Sequence, residues 1–211
     1  MTTNELSPLE KQVHKTFEYS HFGGAEILQV QFPQFNYEID DVISSIGTVQ
    51  HDDAGSDKTK AGRRQSSPTK LNRQIRESLI ARGYAEVAAM EMEIAQGESR
   101  EGESSFRYAS FAKQSVVVGV QTGMQPFSFY DLFRFQHLYD DFIADVGVEI
   151  VPTHHMHNQM SSGTSFGEQL LWDIGRLRRH FPAVPVKIIL IDVEPPPDGH
   201  VVLVEGPQKT D

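Results

Sequence analysis

Two apolar runs separated by an aromatic segment of helical length constrain this fold more than any other feature of the chain. The runs are Ser115 to Thr122 and Ala144 to Val151, both rich in valine and isoleucine. Apolar stretches of that length without polar alternation belong to strands covered on both faces. Between them, Phe127 to Phe142 places Phe127, Phe129, Tyr130, Phe133, Phe135, Leu138, Tyr139 and Phe142 on one helix. Strand, helix and strand in this order predict a parallel pair joined by a right-handed crossover, so the fold class is α/β. The helix is apolar nearly all round, which predicts deep burial or cover by a second subunit.

At 211 residues the chain is long enough for one sizeable core, and a single domain is expected. It contains no cysteine, which excludes disulfides and thiolate-bound metals. No apolar run approaches the length of a membrane span and no basic-then-apolar leader opens the sequence, so a soluble, cytoplasmic protein without a membrane partner is expected. The formal net charge is −10, from 19 Lys+Arg against 29 Asp+Glu, which argues against loose binding to nucleic acid. The positive charge is segregated, however. Lys58, Lys60, Arg63, Arg64, Lys70, Arg73, Arg76 and Arg82 crowd one segment, against Asp57 and Glu77 alone, and six glutamates follow between Glu86 and Glu103. One positive face on an acidic body is the expected outcome, and it suits a binder that avoids random DNA.

Residues 1–16 are polar and aperiodic and read as a mobile arm or frayed helix, the domain spans residues 17–194, and a tail covers residues 195–211. Tyr19, Phe22, Ile27, Leu28 and Val30 are candidate core. Phe35 to Ile46 spaces Ile39, Val42, Ile43 and Ile46 on one helical face. His51 to Ser67, with Gly55, Gly62, Arg63 and Arg64, is a loop, either simply solvated or in contact with phosphate. Ser67-Pro68 then starts a helix whose buried stripe is Leu71, Ile75 and Leu79, with Lys70, Arg73 and Arg76 on another face. Gly83 ends it, and Glu86 to Ser105 reads as a solvated acidic helix and linker. Phe166 to Phe181 is a helix with Leu170, Leu171, Ile174, Leu177 and Phe181 inward, followed by a buried strand from Val186 to Val193. His200 to Glu205 either adds an edge strand or stays loose. The cluster His154, His155 and His157 has spacings for two ligands only and no carboxylate or Cys partner nearby, so surface histidines are the preferred reading and no metal site is expected there.

Several blocks in a fixed order carry a resemblance. They are Val118-x-Val120-Gln121-x-Gly123, Phe127-x-Phe129-Tyr130-Asp131-Leu132-Phe133, Asp145-Val-Gly-Val-Glu-Ile-Val-Pro152, and Met160-Ser161-Ser162-Gly163. Over Glu18 to Asp192 the chain resembles type II restriction endonucleases of the BglII/BstYI kind, relatives of BamHI in the PD-(D/E)xK superfamily. The resemblance implies a restriction-endonuclease-like fold, a central mixed β-sheet flanked by helices, and a homodimer that binds double-stranded DNA at palindromes containing GATC. It also implies Mg2+ as cofactor. Ser110 stands where the family has an aspartate, Gly119 where it has a glutamate, and Gln121 where it has glutamine; the two carboxylates hold the metal and the third residue positions water. The family's lysine after the strand is replaced by Met124. By the same resemblance Arg63, Arg64, Lys70, Asn72 and Met124 lie toward DNA, and Ser161, Ser162, Gly163 and Thr164 form the loop that enters the major groove, where hydroxyls can meet base edges. Phe129, Phe133 and Leu138 are implied at the dimer interface. Asp131 and Asp145 match family positions that are not metal ligands, so both are read as structural.

A serine hydroxyl is a poor ligand for a hard cation and glycine offers no side chain. The leading expectation is therefore a catalytically inactive DNA-binding homodimer that needs no cofactor. A second is an active Mg2+-dependent endonuclease with relocated acidic ligands, for which Glu98, Glu101 and Glu103 are candidates. A third is a protein-interaction module without DNA binding, suggested by the acidic net charge.

Overall fold

The computed structural model describes residues 10–49, 67–87, 110–160, 164–177, 181–196 and 199–205. Its centre is a mixed sheet of seven strands. In chain order the strands are β1 (Glu10–Gln12), β2 (His14–His21), β3 (Gly47–Val49), β4 (Ala85–Glu86), β5 (Phe111–Lys113), β6 (Val116–Val120), β7 (Val146–Pro152), β8 (Val186–Asp192) and β9 (Val202–Glu205). The large sheet runs β4-β5-β6-β7-β8-β2-β9, while β1 and β3 form a separate antiparallel pair. Strands β6, β7 and β8 pair in parallel at its centre, and every residue in them is buried. This is why their sequences read as continuous apolar runs.

Six helices accompany the strands among the described residues: α1 (Gly24–Gln31), α2 (Pro33–Ser44), α3 (Pro68–Ala81), α4 (Gln125–Asp140), α5 (His154–Asn158) and α6 (Gly167–Leu177). The aromatic segment forms α4, which connects β6 to β7 as the pattern requires. Ser67 caps α3 by accepting from the Lys70 amide at 3.3 Å, with Pro68 in the first turn and Leu71, Ile75 and Leu79 buried. Gly83 adopts φ +85 just beyond that helix, a conformation that glycine takes without strain.

The alternation of strand residues divides the core in two. Val116, Val118, Val120, Val146, Val148 and Ile150 face the layer built from α1, α2 and α3 with Leu28, Ile39 and Ile75. Val117 and Val151 face the opposite layer, with Leu132, Phe135 and Leu138 of α4 and Leu170 and Ile174 of α6. Gly119, Gln121 and Glu149 share this second side by the period of two.

Several details depart from the sequence reading. Residues 10–16, assigned to the arm, enter strands: β1 pairs with β3, and β2 begins at His14 and pairs with β8. Of the two alternatives left open for His200 to Glu205, the edge strand is the one found: β9 pairs in parallel with β2. Leu177, expected inward, is exposed at the end of α6. Leu138 is 4% exposed within a single chain, which places it in the core rather than at a subunit interface; it packs with Leu132 and Phe135 under α4. Among the described residues no helix is long and apolar enough to cross a membrane.

Candidate functional site

The three positions expected from the sequence to correspond to the catalytic motif, Ser110, Gly119 and Gln121, all lie beneath α4. Ser110 immediately precedes β5, Gly119 is the fourth residue of β6, and Gln121 follows that strand's end. All three are buried, Ser110 and Gln121 completely. Gln121 is held on every side. Its amide donates to Ile150 O at 2.9 Å, its side-chain Nε2 donates to Asp131 Oδ2 at 2.8 Å, and its Oε1 accepts from the Gly123 amide at 2.8 Å.

Gly119 and Gly147 sit on neighbouring strands and leave a bay for the ring of Phe135. A Cβ at Gly147 would stand 2.5 Å from Phe135 Cδ2, and one at Gly119 would stand 2.9 Å from Phe135 Cζ. The Gly119 Cβ would also overlap Glu149 Oε2, because Glu149 is the β7 register partner of Gly119 in the parallel pair. A carboxylate thus occupies the space where a side chain at position 119 would begin.

That carboxylate has two charged neighbours, both from α4. Asp131 is buried beside Gln121, and Arg134, one helical step further, donates from Nη1 to Ser110 Oγ at 3.2 Å while its guanidinium lies 5.1 Å from the Tyr130 ring centre. Burial pushes the Asp131 carboxyl up to about 7, against the attraction of Arg134 and the hydrogen bond from Gln121. Burial also drives Glu149 well above the ordinary carboxylate range, with Asp131 reinforcing the shift and Arg134 opposing it. Neither oxygen of Glu149 has a hydrogen-bond partner.

These contacts decide how the arrangement suits a divalent cation. At the family's own ligand positions it does not, because Ser110 already accepts from Arg134 and Gly119 has no donor. One strand across, Glu149 and Asp131 bring two carboxyls, but both are buried away from the water and phosphate that complete a Mg2+ shell. There is no set of three or more His, Cys, Asp or Glu among the described residues that could hold a metal.

Sequence reasoning did not single out Glu149 or Arg134; it read Asp131 as structural, and in the fold that carboxyl accepts from Gln121 Nε2. The signals were present. Glu149 is the one charged residue inside the run from Val146 to Val151, where an unpartnered charge is costly. Asp131 and Arg134 are spaced to meet on a helix otherwise loaded with aromatics.

Other candidates gather at the same sheet end. Thr122 Oγ1 donates to Pro68 O at 3.4 Å, bringing the start of α3 with Lys70 and Asn72 to the end of β6. Ser165 Oγ donates to Gln121 O at 3.3 Å, which brings in the residue after Thr164. Met124 precedes α4 and is exposed, Lys70 is half-buried, and Asn72 keeps a buried Oδ1 without a partner. Thr164 itself is buried, with Oγ1 2.7 Å from His157 Nδ1. His154 and His155 are exposed, and His155 contacts Asp192 at 2.8 Å, which raises its pKa. Phe133 is 62% exposed and Phe129 half-buried. Arg63, Arg64, Ser161, Ser162, Gly163, Glu98, Glu101 and Glu103 lie outside the described residues.

A mixed seven-stranded sheet flanked by helices, with three parallel strands at its centre, is a restriction-endonuclease-like fold. The model of the family described as restriction endonuclease BglII/BglIII matches residues 16–191, and the chain belongs to that family. Among solved structures, the chain is similar to the restriction endonuclease BglII complexed with a DNA 16-mer, with a TM-score of 0.64 and 17% identity over 85% of this chain and 77% of that one. It is also similar to free BglII, with a TM-score of 0.60 and 16% identity over 85% and 78% of the two chains. No curated protein sequence matches the chain.

Proposed function

We propose that this chain is a homodimeric double-stranded-DNA-binding protein on a type II restriction endonuclease scaffold, reading a GATC-like palindrome without cutting it. The single observation that carries the loss of cleavage is the filling of the family's metal position. Glu149 and Phe135 take up the room beside Gly119, and Arg134 binds Ser110. With Ser110, Gln121, Asp131 and Glu149 all at most 1% exposed, a scissile phosphate has no approach to these groups. Metal-assisted hydrolysis needs the metal against the scissile phosphate, and this arrangement keeps the two apart.

DNA binding is supported by family membership and by the convergence of α3, the end of β6 and the 164–165 segment. On this reading Lys70, Asn72 and Met124 approach the backbone, Arg63 and Arg64 add phosphate contacts, and the loop of Ser161, Ser162 and Gly163 reads bases, with Thr164 anchoring it through His157. The dimer is supported by Tyr130 and Phe133, three apart on α4 and both exposed. A second reading, a Mg2+-dependent endonuclease with relocated acids, draws on the unsatisfied oxygens of Glu149.

The test is a paired assay on duplexes centred on GATC, measuring gel-shift binding and cleavage with and without Mg2+ or Mn2+ at a stated salt concentration. Sequence-selective binding without cleavage is expected. Metal-dependent cutting would establish the second reading, and neither binding nor cutting would point to a protein-interaction module.

A further inference from the structure

We propose that Asp192 at the end of β8 and His155 on α5 are positioning residues for the base-reading loop that ends at Thr164, acting on it through α5. Asp192 is buried, and its carboxylate holds more than its own turn. Oδ1 accepts from the amides of Val193 at 2.6 Å and Glu194 at 3.2 Å, which is what an aspartate at a strand end ordinarily does. The same carboxylate also reaches α5: Oδ1 lies 2.8 Å from His155 Nδ1, and Oδ2 accepts from Thr153 Oγ1. Thr153 in turn caps α5 by accepting from the Met156 amide at 3.1 Å. One carboxylate on the sheet therefore fixes the first turn of α5 at two points. A helix of five residues needs such ties, because so short a helix is marginal without tertiary contacts.

The placement of α5 passes to the residues that leave the loop. His157 Nδ1 lies 2.7 Å from Thr164 Oγ1, and the Phe166 ring packs against His154 and His157, with ring centres 4.9 and 5.1 Å away. The chain thus enters the loop from α5 and returns against α5. The link that can change is His155, whose exposed ring faces Asp192 and Glu194 beyond β8 and Lys11 on β1, with Gln159 Nε2 3.1 Å from its Nε2. His154 and His157 are the other titratable groups on α5. The hydrogen bond to Asp192 raises the His155 pKa, the charges of Asp192 and Glu194 add to it, and burial and Lys11 oppose it. A protonated ring gives Asp192 a charge-assisted bond, which weakens as pH rises through that pKa. Sequence selectivity is then highest with His155 charged, an inference that rests on the DNA-binding reading of this chain.

The experiment pairs an NMR pH titration of the full chain without DNA with gel shift on GATC-centred and scrambled duplexes, from acid to alkaline pH at one salt concentration. The His155 ring is expected to titrate above its ordinary 6.5, with a component of the Thr164 amide shift following the same midpoint, and Asp192→Asn is expected to lower both together. The ratio of GATC to scrambled affinity should fall about 2–30-fold as His155 loses its charge. A loss of phosphate attraction alone would weaken both duplexes and leave that ratio unchanged. His155→Gln, a change at an exposed side chain that should keep wild-type circular dichroism, is expected to make the ratio independent of pH. A His155 midpoint that Asp192→Asn leaves in place, a Thr164 resonance that does not follow it, or a pH-dependent ratio that survives His155→Gln would overturn the proposal. Equal affinity for the two duplexes at every pH, with the coupled titration intact, would instead overturn the DNA-binding reading and with it the base-reading role of the loop.

Discussion

Gly119 and Glu149 are direct register partners in the parallel β6–β7 pair, and the carboxylate of one fills the space that the missing side chain of the other leaves. The two identities therefore depend on each other. Gly119→Ala should destabilise the protein by about 1–3 kcal/mol through overpacking against Glu149 and Phe135. Adding Glu149→Ala should recover part of that loss, with a coupling of about 0.5–3 kcal/mol in a urea-denaturation double-mutant cycle. Simple additivity would show that the two positions do not share the space.

Arg134 is buried among groups that need its charge, with Ser110 as hydrogen-bond partner and the Tyr130 ring close by. Arg134→Met should cost about 1–3 kcal/mol, because it leaves buried Ser110 Oγ without its donor and removes the charge that opposes the upward shift of the Asp131 carboxyl. Combining it with Glu149→Gln should restore part of the stability. Urea midpoints of the three variants check this; a loss below 1 kcal/mol for Arg134→Met would mean that the guanidinium is not the charge partner.

Asp131 makes the stability of the cluster depend on pH. Its carboxyl titrates at about 7 in the folded chain, above the ordinary 3.8, so between those values the native state holds a proton that the unfolded state has released. Stability from this group is complete below about pH 4 and is lost as pH rises through about 7. Relative to Asp131→Asn, the wild type should therefore become less stable from acid to neutral pH and level off above about pH 8. Thermal midpoints of both proteins across that range would show the trend; a difference independent of pH would contradict it.

Leu138 and Phe133 lie on the same helix in opposite environments, the first packed in the core and the second 62% exposed. Leu138→Ala should cost about 2–5 kcal/mol of fold stability. Phe133→Ala should change it by about 0.5 kcal/mol or less, while shifting a dimer toward monomer in analytical ultracentrifugation. Equal effects of the two on fold stability would mean that Phe133 is also core.

Much of this molecule was legible in its residues. The apolar runs become β6 and β7, and the cap at Ser67 and the stripe of Leu71, Ile75 and Leu79 become α3, because periodicity and capping are local properties that a sequence displays directly. The fold family was readable too, since its blocks keep their order and residues 16–191 match the family model. The amino-acid order likewise determined that Ser110 and Gly119 carry no carboxylate. What fills the space beside Gly119 was decided by the tertiary structure. Glu149 lies thirty residues beyond Gly119 in the chain, and only the register of β6 on β7, together with the packing of α4 over both, brings its carboxylate into the vacant space beside Asp131 and Arg134. Pairing across a sheet is non-local. The burial that gives these charges their meaning exists only once α4 has closed over the strands.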